Sequence, residues 1–263
     1  MNASKVWALD WNDTPVEFDP LAMHTVISGA TRSGKSVGAY AILSQLSKLP
    51  DVTIIGIDPS SILLYPHSVN RPNDFALGTS PESLDHSLHI LKWLENEMDY
   101  RTNKLLDIGT DKLTVSHVSP KFPAIVLVLE EFAGYQAALE GFDKKKKSEA
   151  LRIIGRILRE GSKTLVHVLA IIQRPEAATL PERSQYSRRI SFRQDNEDSV
   201  RMLFEGASDE SRAAAQRLKL GRCLIHEAGS QPKFATVPHL TYENYRTRID
   251  LNHPPLIEVS NER

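Results

Sequence analysis

The sequence predicts an α/β chain built on a mainly parallel, doubly wound sheet with flanking helices. Short apolar runs rich in β-branched residues recur along its 263 residues, longer amphipathic stretches separate them, and the crossovers are long enough to return successive strands in parallel. A hydrophobic content of 41% supplies a sizeable core, which fits one such unit better than several. We therefore expect a single domain over residues 1–240, followed by a C-terminal extension over 241–263 in which Pro254 and Pro255 favour an extended arm.

The elements follow in order. HTVIS (24–28) reads as a buried strand and VGAYAILSQLSKL (37–49) as a helix. VTIIGI (52–57) is a second strand, followed by a loop rich in Pro, Ser and Asn up to about residue 80. Pro81 and Glu82 open a helix over 81–108, with Leu84, Leu88, Leu91, Leu94, Met98 and Leu105 spaced for one face. AIVLVL (124–129) is a strand ending in two carboxylates, a basic helix covers about 145–161, and TLVHVLAII (164–172) is another strand. RRISFR (188–193) and RCLIHE (222–227) are further strands separated by one or two helices.

Charge and cysteine content narrow the partners. The formal net charge is −1, so no global basic field attracts a polyanion and any nucleic-acid contact must come from a local patch. Cys223 is the only cysteine, which excludes an intramolecular disulfide and suits a reducing cytoplasm. Nowhere do 18 apolar residues run together, so no membrane segment is expected.

Residues 29–36 carry the strongest chemical signal. Gly29, Ala30, Thr31, Arg32, Ser33, Gly34, Lys35 and Ser36 spell G-x-x-x-x-G-K-[ST] between a strand and a helix, where backbone N–H groups and the helix dipole can cradle the phosphates of a nucleoside triphosphate. Lys35 should reach the β- and γ-phosphates, and Ser36 should ligate Mg²⁺. The pattern fixes only four positions, but the flanking strand and helix argue against chance. Glu130 and Glu131 end the AIVLVL strand, the edge at which open α/β sheets carry their ligand crevice. Glu130 suits a metal role through its water shell, and Glu131 suits the base that takes a proton from the attacking water. Gln173, after LAII, could bond that water and the γ-phosphate, or could simply cap a strand.

Taken together, GATRSGKS, IGIDPS, ENEMDYRTNKLLDIG, PAIVLVLEEFAGY, LVHVLAIIQRPEAATLP and RRISFR resemble the motor domain of the FtsK/SpoIIIE DNA translocases, within the FtsK–HerA group of P-loop ATPases. The match in order and spacing runs from about residue 24 to 227, and its most particular parts are Glu97–Met98 with Arg101 and Gly109, and the Q-R-P triplet at 173–175. The resemblance implies a RecA-like P-loop fold, ATP with Mg²⁺, a homo-oligomeric ring of six subunits, and ATP-driven movement of double-stranded DNA. It also places an interface arginine at Arg189, with Arg188 as its rival. Neutralising charge on the transferring phosphoryl group needs such a finger from a neighbour; otherwise the two are surface arginines on an edge strand.

Several positions depart from the family pattern. Glu130 stands where the family has Asp, Ser60 stands where it has Lys, and REGSKTLVH replaces a stretch with an arginine near a glycine, leaving Arg159 and Lys163 as displaced candidates. The membrane segments, linker and winged-helix module of the division proteins do not occur in this sequence, so the expectation is a free-standing motor suited to phages, plasmids or integrative elements. For DNA contact, residues 143–163 hold eight basic against three acidic residues, including the run Lys144, Lys145, Lys146 and Lys147, which either lines the DNA path or forms a solvated loop. Two other functions compete with the translocase: a genome-packaging ATPase, and a slowly turning nucleotide-gated scaffold like the degenerate ATPase modules of type VII secretion.

Overall fold

The computed structural model describes residues 6–19, 21–175, 180, 182–204 and 208–252. In chain order the strands and helices are β1 (Val6–Asp10), β2 (Pro15–Glu17), β3 (Thr25–Ser28), α1 (Lys35–Leu46), β4 (Val52–Asp58), α2 (Tyr65–Ser68), β5 (Phe75–Leu77), α3 (Pro81–Ile108) and β6 (Ala124–Glu130). There follow α4 (Phe132–Phe142), α5 (Lys144–Glu160), β7 (Val166–Ile172), β8 (Arg188–Ser191), α6 (Glu197–Leu203), α7 (Asp209–Gln216), β9 (Arg222–Glu227), β10 (Lys233–Thr236) and α8 (Tyr242–Asn252). The expected strands form where they were read. The apolar runs are buried on both faces: along β6, Ile125, Leu127 and Leu129 face one core while Val126 and Val128 face the other.

The strands make one sheet in the order β2, β1, β10, β9, β8, β3, β7, β6, β4, β5. From β8 to β5 every neighbour is parallel, and from β9 to β2 every neighbour is antiparallel. The parallel half is doubly wound, because α3, α4 and α5 cover one face while α1 and α8 cover the other. The antiparallel half was legible only at β9, the strand expected at 222–227. Its strands are short, and β1 reaches its partner β10 through pairs such as Leu9 with Thr236, across most of the chain.

Two expectations change. The arm expected after residue 241 is, over Tyr242–Asn252, the helix α8 docked on the domain: Tyr245 is fully buried, its hydroxyl donates to the Leu63 carbonyl at 2.9 Å, and Asn252 Nδ2 donates to Ser47 Oγ at 2.7 Å. Residues 253–263 lie outside the described part. The pair Arg188 and Arg189 also sits not on an edge strand but on β8, enclosed between β9 and β3.

Helix α3 shows why its boundaries were readable. Ser80 caps it by accepting from Ser83 N at 3.2 Å, Pro81 fills the first position, and Gly109 closes it at φ 66°, a left-handed conformation that glycine adopts without strain. Its buried Arg101 donates Nε to Glu97 Oε1 at 2.7 Å and its terminal nitrogens to the Thr164 and Pro123 carbonyls at 3.1 and 2.8 Å. Arg101 thereby ties the helix to the chain entering β6 and β7.

Candidate nucleotide site

At the carboxyl end of β3 the chain turns through residues 29–34 into α1. A Cβ on Gly29 would lie 2.6 Å from Ser33 Oγ and 2.7 Å from Phe192 Cβ, so only glycine fits there. Gly34 has φ 100°, and a Cβ there would meet Gly221 N at 2.9 Å. The loop is fastened from outside as well: Ala30 N donates to the Arg193 carbonyl at 2.9 Å, and Gly221 N donates to the Ser33 carbonyl at 3.4 Å. These bonds hold the turn in shape, leaving the first amides of α1 to face the cleft.

Lys35, Ser36, Glu130, Glu131 and Gln173 line a single cleft of about 420 Å³ at the carboxyl edge of the parallel strands. Burial pushes the pKa of the Lys35 ammonium down, and Glu131 and Glu130 push it back up. Burial, then the Asp58 and Glu131 charges, push the Glu130 carboxyl up to about 8, with Lys35 pulling the other way. Glu130 Oε2 is buried with no hydrogen-bond partner among the described residues. An orphaned carboxylate oxygen beside the exposed Ser36 fits a hydrated Mg²⁺, which would supply the charge that this carboxyl lacks. Glu131 adopts a left-handed conformation, φ 44°, in the turn from β6 into α4, and its Oε2 accepts from Gln173 Nε2 at 3.3 Å. That pairing places a carboxylate and an amide together at the strand ends, the arrangement needed to orient and deprotonate a water.

Asp58 was not singled out from the sequence, although it ends β4 as Glu130 ends β6. Fully buried, it accepts from Ser60 N, Ser60 Oγ, Ser61 N and Leu64 N at 2.9, 2.6, 3.0 and 2.9 Å. Its charge raises the Glu130 pKa, while its oxygens are committed to the following turn. Ser60, which replaces the family's lysine, is one of those donors. Leu220 was also missed; it lines the cleft although it is 74% exposed, and its neighbour Gly221 explains why, being bonded to the phosphate loop.

The model of the FtsK/SpoIIIE family matches residues 6–235. The chain belongs to that family. It is accordingly a P-loop ATPase. Among curated FtsK/SpoIIIE relatives, the DNA translocase SftA of Bacillus subtilis is 27% identical over 237 residues, 84% of this chain and 23% of SftA. The chain thus spans about a quarter of the length of such relatives. Among solved structures, the pCW3 conjugation coupling protein TcpA, in its monomer form with ATPγS, superposes with a TM-score of 0.73 at 18% identity, covering 95% of this chain and 71% of that one. The cytoplasmic domain of the type VII secretion ATPase EccC of Thermomonospora curvata gives 0.70 at 19% identity, covering 94% and 30%. At these identities the two structures attest the fold.

Arg188 and Arg189, expected to serve a neighbour's site, and the displaced candidates Arg159 and Lys163 do not line this cleft. Arg189 pairs in register with Val26, below the phosphate loop, and donates to the carbonyls of Tyr186, Leu203 and Arg183 at 3.0, 2.8 and 3.4 Å. Arg188 is buried against Glu227 at 2.7 Å and over the Phe18 ring. Both guanidinium groups are engaged within their own chain. Arg159 pairs with Glu182, and Lys163 accepts through its carbonyl from Leu113 N at 2.8 Å.

Lys144 to Lys147 form the first turn of α5 rather than a loop, capped by Asp143, which accepts from Lys145 N at 2.7 Å and Lys146 N at 3.2 Å. Tertiary packing offsets much of the local charge. Lys144 and Lys147 pair with Glu140, Lys146 with Asp85, Arg152 with Glu95, and Arg156 with Glu95, Asp99 and Glu160. The excess counted along the sequence is therefore largely balanced in space. Among the described residues no helix is long and apolar enough to cross a membrane.

Proposed function

We propose that this chain couples ATP hydrolysis to the movement of double-stranded DNA as a ring of identical subunits, in the transfer or segregation of a plasmid, phage or integrative element. The observation that carries the reading is the convergence of Lys35, Ser36, Glu130, Glu131 and Gln173 on one cleft in a chain of the FtsK/SpoIIIE family. Lys35 offsets phosphate charge, Ser36 and Glu130 would hold Mg²⁺, Glu131 accepts the proton of the attacking water, and Gln173 positions Glu131. Magnesium bound there would neutralise charge on the phosphates. The relatives named as DNA translocases support duplex DNA as the substrate.

Steady-state ATP hydrolysis with and without duplex DNA tests this. The wild-type protein should be stimulated by DNA. Lys35→Ala should lose tight ATP binding, whereas Glu131→Gln should keep binding and lose roughly 10²- to 10⁴-fold in turnover, the usual contribution of a positioned base. Hydrolysis that is slow and indifferent to DNA would favour a nucleotide-gated scaffold instead. One observation points that way: Glu130 stands where the family has Asp, and its Oε2 has no hydrogen-bond partner among the described residues.

A further inference from the structure

The described residues contain a second hollow, away from the nucleotide, of about 370 Å³ between α7 and the antiparallel strands. Its floor is Trp11, 64% exposed, whose ring lies 4.8 Å from that of Phe234. Its rim carries Arg217, Lys219 and Arg222, all exposed and none in a salt bridge among the described residues, and the Arg222 guanidinium sits 6.0 Å from the centre of the indole. Glu210 is the one carboxylate lining the hollow. This surface is the converse of α5, where most of the basic side chains meet a carboxylate of the same chain.

We propose that this surface, rather than the lysine run, contacts the phosphate backbone of double-stranded DNA; the proposal rests on the translocase reading above. Exposed cations without an internal partner keep their attraction for an external polyanion, and each phosphate they neutralise releases counterions. An indole beneath a guanidinium holds the planar donor in place and excludes water on one side. The same turn also reaches the ATP site. Gly221 N bonds the Ser33 carbonyl of the phosphate loop, and Leu220 lines the nucleotide cleft between the flanking Lys219 and Arg222. A change in the phosphate loop is thereby passed within two residues to the DNA-facing rim.

Fluorescence anisotropy of a labelled duplex, measured on the full chain with a non-hydrolysable ATP analogue at several salt concentrations, tests the proposal. Replacing Arg217, Lys219 and Arg222 together by Ala should weaken duplex binding at least about tenfold and lower the salt slope by about two to three units, whatever the sequence. Replacing Lys144 to Lys147 by Ala should leave affinity within about twofold. Arg217, Lys219 and Arg222 are exposed and outside any salt bridge among the described residues, so the triple variant should melt with the wild type, and basal ATP hydrolysis should persist in both variants. Trp11→Ala alone should weaken binding without altering the slope, because it removes no charge. Wild-type affinity and slope in the triple variant would overturn the surface while leaving the translocase reading intact. Failure of the wild-type protein to bind duplex DNA, or binding of an acidic polypeptide in its place, would overturn both.

Discussion

Arg101 is 1% exposed, and every one of its hydrogen bonds serves packing. The E-M-x-x-R pattern that marked the family in the sequence is thus a structural device: Met98 fills the core while Arg101 donates to the Thr164 and Pro123 carbonyls, with its guanidinium carbon 4.5 Å from the Phe122 ring centre. Arg101→Met should leave Glu97 and both carbonyls without their donor and cost about 3 kcal/mol, as breaking a buried ion pair does. For a domain of this size that is a fall of roughly 6–12 °C in Tm. ATP affinity should be unchanged, since Arg101 does not reach the cleft. Calorimetry and a nucleotide titration check the two halves, and an unchanged Tm would remove the structural role. Lys35, Ser36 and Glu131 were legible as candidates because their chemistry follows from residue type and strand or helix position, and the fold brings them to one cleft. Asp58 and Leu220 were not, because burial and proximity to the loop define them.

At the scale of elements, α8 is the part the sequence misrepresented. Its pattern is weakly amphipathic and only Tyr245 and Ile249 are buried in it, so no local signal separates it from an exposed arm. What fixes it is contact: the Tyr245 ring stacks on Tyr40 at 4.6 Å, and its hydroxyl lies 3.0 Å from His67 Nε2 as well as bonding the Leu63 carbonyl. This ties α8 to the segment that Asp58 organises beside Glu130. Tyr245→Phe keeps the stack but removes the hydroxyl that bonds the Leu63 carbonyl and meets His67, which should cost about 1–3 kcal/mol. Thermal melting should show it, and hydrogen exchange should rise most over residues 62–68. Exchange that rises equally everywhere would mean that α8 does not brace that segment. Helix α5 carries the opposite lesson. Its existence was readable from apolar spacing, but the neutralisation of its basic residues by α3 and α4 was not.

Across the whole molecule, stability should depend on pH through two histidines under the parallel sheet. His24 and His167 are buried with rings 5.4 Å apart; burial holds their pKa values down at about 4 and about 3 against an ordinary 6.5, and His167 has no hydrogen-bond partner among the described residues for either ring nitrogen. Both are neutral in the fold and take up protons on unfolding. The unfolded chain therefore binds more protons between about pH 6.5 and pH 3–4, so stability falls as pH drops through that window, by roughly 2 kcal/mol per histidine at pH 5. His167→Leu should remove about half of this dependence with little loss at pH 7.5, which urea denaturation at both pH values measures; an unaltered slope would reassign the acid sensitivity. The sequence by itself determined the parallel strands, their helices, the phosphate loop and the strand-end carboxylates, since each depends on a few neighbouring residues and a period of 2 or 3.6. Only the tertiary structure decided the antiparallel half of the sheet, the docking of α8, the intrachain ties of Arg188 and Arg189, and which cations remain unpaired. Each of these depends on which distant segments meet, and burial and charge pairing are properties of that meeting rather than of any stretch of chain.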